Sequence, residues 1–241
     1  YISPNYDSKQ DKLEIPLSVK DEQGIVAGWL FKIEDRSSGK VVRTITEQSD
    51  LPDRIDSFSS IKKGFGYTKQ NVPVPNILDW DGRDDEGNPV PDGTYIVSFH
   101  AWDDLGKTNA NYDSCMNVVV DRSAPIVNAW VLGNEQPLQG FDVMIFSPDG
   151  DNSKDTISFR VQGSIEDNWK YEILNEGNVA VRTMEIKGRS APRDFVWDGT
   201  DDRGKRVPDG YYRFRLSTMD PAGNTGYKII GISDKRKAVL F

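Results

Sequence analysis

The sequence holds one cysteine, Cys115, and one histidine, His100. A single thiol excludes an intramolecular disulfide and every cysteine-rich zinc pattern. A single imidazole leaves a Ser-His-Asp or Cys-His mechanism only one base. That residue falls in a predicted strand, Tyr95-Ile-Val-Ser-Phe-His-Ala-Trp102, on the face opposite Tyr95, Val97 and Phe99, and reads as a surface strand histidine. Cys115 lies in Ser114-Cys-Met-Asn-Val-Val-Val120 and reads as a small hydrophobe in or beside the core. No apolar run reaches the length of a bilayer span, and no secretory leader is recognisable. The first residues, Tyr-Ile-Ser-Pro, carry no methionine, so the expectation is a trimmed piece of a longer multidomain chain. Basic stripes are also missing. The formal charge is −8, and the densest basic runs, Lys62-Lys63 and Lys235-Arg236-Lys237, are short. Such a surface repels phosphate backbones and argues against a nucleic-acid partner.

What is present is a core-forming composition and a repeat. Hydrophobic residues make up 37% and aromatics 10% of 241 residues, enough for two domains that each bury a core. Trp80-Asp-Gly-Arg-Asp-Asp-Glu-Gly-Asn-Pro-Val-Pro-Asp-Gly-Thr-Tyr95 recurs as Trp197-Asp-Gly-Thr-Asp-Asp-Arg-Gly-Lys-Arg-Val-Pro-Asp-Gly-Tyr-Tyr212, a shift of 117 positions. The register runs on from Asp103-Asp-Leu-Gly-Lys-Thr108 to Asp220-Pro-Ala-Gly-Asn-Thr225, giving 14 identities over 29 positions. An earlier phrase, Ser3-Pro-Asn-Tyr-Asp-Ser-Lys-Gln-Asp-Lys-Leu13, matches Ser147-Pro-Asp-Gly-Asp-Asn-Ser-Lys-Asp-Thr-Ile157. Between the two phrases, Trp29 and Val-Val-Arg-Thr44 pair with Trp169 and Ala-Val-Arg-Thr183. Conserved order implies duplication of a whole domain, with copies at 1–123 and 124–241 joined through Val120-Asp-Arg-Ser-Ala-Pro-Ile126.

Each phrase translates into strands and turns. Asp-Gly and Asp-Asp-x-Gly are tight turns, glycine supplying positive φ and aspartate bonding its own backbone. In Val-Pro-Asp-Gly-x-Tyr, proline presets the turn and the aromatic opens a strand. Tyr212, Phe214 and Leu216 then alternate with Arg213, Arg215 and Ser217. Residues 12–19, 29–34, 126–132, 156–161 and 169–174 also read as strands, and no helical stripe appears. The fold expected is all-β, two tandem β-sandwiches.

Three places invite a chemical reading. The acid pairs Asp84-Asp85 and Asp201-Asp202 sit in turns and recur in both copies; an enzyme needs one site, whereas a fold needs its turns every time. Asp149, Asp151 and Asp155, matched by Asn5, Asp7 and Asp11, have the one-three-seven spacing of oxygen ligands in a calcium loop, but position twelve holds Arg160 or Pro16 instead of an acid. The two readings are a turn-rich approach to a strand and a weak calcium site. The first copy also carries an insertion, about 45–77, mixing Phe58, Phe65 and Tyr67 with Lys62, Lys63 and Lys69, a candidate partner-binding loop that would equally brace its own sandwich.

The phrase Trp-Asp-Gly-x-Asp-x-x-Gly-x-x-Val-Pro-Asp-Gly-x-Tyr, followed by Asp-x-x-Gly-Asn-Thr, resembles the FlgD-type immunoglobulin-like repeat of bacterial secreted and cell-envelope proteins. The resemblance implies an immunoglobulin-like sandwich without catalysis or cofactor, outside the cytoplasm: in the periplasm, at the outer membrane or on the cell surface. The leading function is a structural, adhesive or scaffold module whose partner is a protein or another envelope component. The alternative is a carbohydrate- or ligand-binding accessory domain of a secreted enzyme, for which Trp102 and Trp130 are the aromatics to inspect. A flagellar hook assembly factor stands third.

Overall fold

The computed structural model describes residues 1–20, 24–49, 70–104, 114–133, 136–137 and 146–231, and among them every regular element is a strand. The chain divides into two compact units, Tyr1–Arg122 and Ser123–Phe241.

The first unit contains β1 (Leu13–Pro16), β2 (Val26–Asp35), β3 (Val41–Gln48), β4 (Ile77–Trp80), β5 (Gly93–Asp103) and β6 (Ser114–Val120). They form a four-stranded sheet, β3-β2-β5-β6, and a two-stranded sheet, β1-β4, with antiparallel pairing throughout. Alternation along each strand sends every second side chain inward. Trp29, Phe31 and Ile33 of β2 thereby meet Tyr95, Val97 and Phe99 of β5, and Leu78 and Trp80 of β4 close the core from the other sheet.

The second unit contains β7 (Val127–Gly133), β8 (Gln136–Pro137), β9 (Ile157–Gly163), β10 (Glu166–Leu174), β11 (Ala180–Ser190), β12 (Phe195–Trp197), β13 (Arg213–Met219) and β14 (Thr225–Ile230). Its sheets run β11-β10-β13-β14 and β12-β9-β7-β8. Phe159 of β9 stacks on Phe214 of β13 with ring centroids 4.2 Å apart, both rings fully buried, so the two sheets share one core. Truncating either ring to alanine costs about 3–5 kcal/mol through lost burial and the cavity left behind.

Local registers agree between the units. Trp29 stands opposite Ala101, and Trp169 opposite Thr218. Each unit also ties the start of a central strand to the preceding turn: the Tyr95 hydroxyl donates to the Pro91 carbonyl at 2.7 Å, and the Tyr212 hydroxyl to Pro208 at 2.6 Å. Both rings are buried, and burial, ahead of nearby carboxylates, raises both phenol pKa values.

Some sequence expectations require correction. Cys115 is exposed rather than beside the core: Val118 and Val120 are the inward residues of β6, and Cys115 is out of phase with them. Ile45–Gln48 belongs to β3 and not to the insertion. Phe58, Lys62, Lys63, Phe65, Tyr67 and Lys69 lie outside the described residues. The end of the insertion is pinned to β2: the Val26 amide donates to Asn71 Oδ1 at 2.8 Å, and the Trp29 indole to the Pro73 carbonyl at 3.0 Å.

One ionic group is built into the second unit's sheet. Glu172, 4% exposed at its side chain, accepts from Arg215 at 2.6–2.7 Å and from Lys170 at 2.9 Å. Burial pushes its pKa up, but the bonds from Lys170 and Arg215 outweigh burial and hold it below the ordinary value of 4.5. A depressed folded pKa stabilises the fold above the unfolded value, and that contribution disappears as pH falls through the folded value.

Tyr95→Phe and Tyr212→Phe each cost about 1 kcal/mol, the net worth of the hydroxyl's bond to the turn carbonyl; urea denaturation measures this. Glu172→Gln costs about 1.5–3 kcal/mol at neutral pH, the worth of a hydrogen bond to a charged group. It also flattens the loss of stability below pH 4.5, measured as melting temperature against pH.

Candidate functional site

The repeated phrases meet at one corner of each sandwich. The Trp80 ring is buried edge-on against Tyr95, and its indole N–H donates to the Arg83 carbonyl at 2.8 Å. Trp197 does the same with Tyr212 and the Thr200 carbonyl, at 2.9 Å. Each indole therefore joins a core ring to the turn that follows it. Gly82 and Gly199 adopt φ of 73° and 75°. A Cβ there would stand 2.6 Å from Pro4 Cγ and 2.7 Å from Pro148 Cγ, so conformation and close packing both demand glycine. Their carbonyls accept from the Val90 and Val207 amides, each at 2.9 Å.

The acid pairs are spent on backbone. Asp84 Oδ1 accepts from the amides of Glu86 and Asn88 at 3.0 and 2.8 Å, and Asp201 Oδ1 from those of Arg203 and Lys205, each at 2.9 Å. The Lys205 amide is the main cause that lowers the Asp201 pKa. The second acid of each pair reaches the outermost strand of its sheet. The Asp85 amide donates to the Val42 carbonyl at 3.0 Å, and Asp85 Oδ1 accepts from the Thr44 amide at 3.0 Å. Asp202 repeats both bonds on Val181 and Thr183, at 3.1 and 2.9 Å. A carboxylate and its own amide thus occupy edge groups of β3 and β11 that would otherwise be open to pairing.

The opening loops pack against the same corner. In the second unit Asp155 takes two amides, Gly150 on Oδ1 at 2.7 Å and Asn152 on Oδ2 at 2.8 Å. Asp149 accepts from the Asp151 amide at 3.1 Å, and Asp151 from the Ser153 amide at 2.7 Å. The first unit repeats this pattern: Asp11 holds Tyr6 and Ser8 at 2.7 and 2.8 Å, Asn5 holds Asp7 at 3.0 Å, and Asp7 holds Lys9 at 2.9 Å. Alternate residues, Tyr6, Ser8 and Gln10 or Gly150, Asn152 and Lys154, take positive φ, which turns successive amides toward one carboxylate. Oxygens of Asp149, Asp151 and Asp155 lie within 4.8 Å of one another. As hard donors they suit a calcium ion in kind, yet each carboxylate already accepts an amide of its own loop.

Trp29, Trp80, Trp169 and Trp197 are 4%, 3%, 0% and 1% exposed, so they belong to the cores. Trp102 is half-buried and packs over Gly28; Trp130 is half-buried too. Neither is among the openly exposed aromatics, which include Tyr6 and Tyr227. A shallow groove of about 390 Å³ in the first unit is lined by Asp35, Asp84 and Asp85 among others. Asp35 also serves its own turn, bonding Ser37, whose hydroxyl is the main cause that lowers the carboxyl pKa. The capping role of Asp85 and Asp202, and the Glu172 cluster, were not foreseen from sequence. The only available signal was the matched Val-Arg-Thr that each acid pair meets.

No curated protein matches the chain. Among solved structures it is similar to dimeric latent PorU from Porphyromonas gingivalis, at 11% identity and TM-score 0.31, over 90% of this chain and 17% of that one. It is also similar to the FN1-FN3 domains of chicken CNTN1, at 14% identity and TM-score 0.36, over 91% of this chain and 60% of that one. A third is the BSP domain of a biofilm associated protein, at 14% identity and TM-score 0.25, over 97% and 28% respectively. The chain spans less than two thirds of each of these structures. A family model, the FlgD Ig-like domain, matches residues 147–222, from the opening loop through the Trp-Asp-Gly turn to the last hairpin. Residues 147–222 of this chain are thus similar to the FlgD Ig-like domain.

Proposed function

We propose that the chain is a non-catalytic structural and interaction module of a bacterial extracytoplasmic protein, built from two copies of one immunoglobulin-like domain. The observation that carries this reading is the use of the repeated acids. In both units the carboxylates of the Asp-Asp turn and of the opening loop hold backbone amides, with the same partners at corresponding positions. Residues that recur in order to satisfy backbone serve a fold, and a duplicated fold serves as a spacer or scaffold. The family match at 147–222 supports the extracytoplasmic setting. Trp102 and Trp130 are half-buried rather than openly exposed, which favours this reading over a carbohydrate-binding one.

On this account the opening loops are turn scaffolds. Asp155, which gathers two amides, matters more than Asp151, which holds one. Asp155→Ala destabilises the second unit by about 1–3 kcal/mol as the loop's amides lose their acceptor, and Asp151→Ala by less. Millimolar calcium leaves the wild-type melting temperature unchanged. A rise on adding calcium that Asp151→Ala abolishes would make the loop a metal site instead.

The copy reading has its own check. Asp85→Ala and Asp202→Ala each lower the melting temperature of the unit that carries them, by matching amounts. Both leave Asp84 and Asp201 in place to hold their turns. A large effect in one unit and none in the other would contradict duplication of function along with sequence.

A further inference from the structure

The outward edge of β1 differs from its counterpart in the second unit. Leu13 stands opposite Trp80, and Ile157 opposite Trp197, so β1 corresponds to β9 and Pro16 to Arg160. In the second unit β9 lies between β12 and β7, with Val131 opposite Phe159, Trp130 opposite Arg160 and Ala129 opposite Val161. Among the described residues β1 has β4 as its one neighbour. The side chains beneath register the difference. Ile157, Phe159 and Val161 are 5%, 0% and 9% exposed, whereas Leu13, Ile15 and Leu17 pack on the core only half-buried.

The direction of the backbone groups follows from one bond. The Leu17 amide donates to the Asn76 carbonyl at 2.8 Å, on the β4 side. Alternation along an antiparallel strand then turns the amides and carbonyls of Glu14, Pro16 and Ser18 to the outside. Proline has no N–H to offer, so this edge presents three outward carbonyls but two outward donors.

We infer that this edge accepts one extended polypeptide strand of β7's pattern. The strand runs antiparallel to residues 13–19 and lays small or branched apolar side chains beside Ile15 and Leu17, as Val131 and Ala129 lie beside Phe159 and Val161. The inference rests on the reading that the units are copies. The second unit supplies the argument for the occupant: its own strand in that place alternates Val127, Ala129 and Val131 inward, and it covers the matching core residues. A second folded copy fits less well, because β1 is four residues long and Pro16 interrupts its donors, whereas an unfolded segment adjusts to a short edge.

The test uses the 241-residue protein and a fluorescein-labelled synthetic peptide carrying residues 123–133, the β7 sequence, read by fluorescence anisotropy. Saturable binding is expected, and none for a peptide with aspartate at the positions of Ala129 and Val131. Ser18→Pro removes an outward donor while sparing the Leu17–Asn76 bond, and weakens binding at least fivefold with an unchanged circular dichroism spectrum. Pro16→Arg restores the donor found in the second unit and tightens binding about fivefold, the worth of one net backbone hydrogen bond. Absence of binding to both wild type and Pro16→Arg overturns the inference, as does affinity indifferent to both substitutions. Dimerisation of the protein that Ser18→Pro abolishes also overturns it, since the occupant would be a second copy. If binding fails while Asp85→Ala and Asp202→Ala still act alike, the strand proposal falls and the copy reading stands.

Discussion

Each sandwich depends on a tryptophan that serves the core and the loop at once. The ring of Trp80 or Trp197 is buried against a tyrosine, and its single N–H is satisfied by a carbonyl three residues on. An indole buried without that partner would carry an unsatisfied donor, at a cost of about 1–3 kcal/mol. Core and turn are therefore locked to each other. Once the turn is placed, the glycine beside it meets the proline of the opening loop, and the second acid of the Asp-Asp pair arrives at the outermost strand. The Val-Pro-Asp-Gly-x-Tyr turn closes on the same corner through its valine amide and tyrosine hydroxyl.

This explains why the repeated residues form one patch in space although they are scattered along the chain. A β-sandwich exposes the edges of its sheets, and exposed edges invite unwanted pairing. Here the corner loop supplies a carboxylate and an amide to β3 or β11, so the acids that most resemble catalytic groups occupy an edge. The acidic character of the chain is in part a by-product of that device: aspartate is the side chain that accepts two amides from a tight loop, as Asp11 and Asp155 both do.

Much of this was legible in the sequence, for reasons that differ from one place to another. Tyr212-Arg-Phe-Arg-Leu alternates so cleanly that strand and inward face were both readable, and the buried Phe214 and Leu216 agree. The turns were readable because Asp-Gly and Pro-Asp-Gly encode backbone geometry locally. β3 and β11 were not recognised, because edge strands rich in Thr, Arg, Glu and Lys lack the apolar period of a core strand. Cys115 was misplaced because a run such as Cys-Met-Asn-Val-Val-Val does not itself declare which parity faces inward; pairing of Val118 with Tyr95 decides it. The bonds from the acid pairs to Thr44 and Thr183 span long sequence separations and have no local signature.

The repeated phrase holds each sandwich together in the same way. Native-state hydrogen exchange at the Thr44 and Thr183 amides tests it most directly, because those amides are the far end of the chain of contacts that begins at the indoles. In wild type both are protected by an aspartate oxygen at 3.0 and 2.9 Å. Trp80→Phe keeps an aromatic ring but loses the bond to the turn, and should speed exchange at Thr44 alone. Trp197→Phe should speed exchange at Thr183 alone, by a similar factor. Exchange that ignores both substitutions would contradict the account, because the tryptophan turn would then not be what holds the edge.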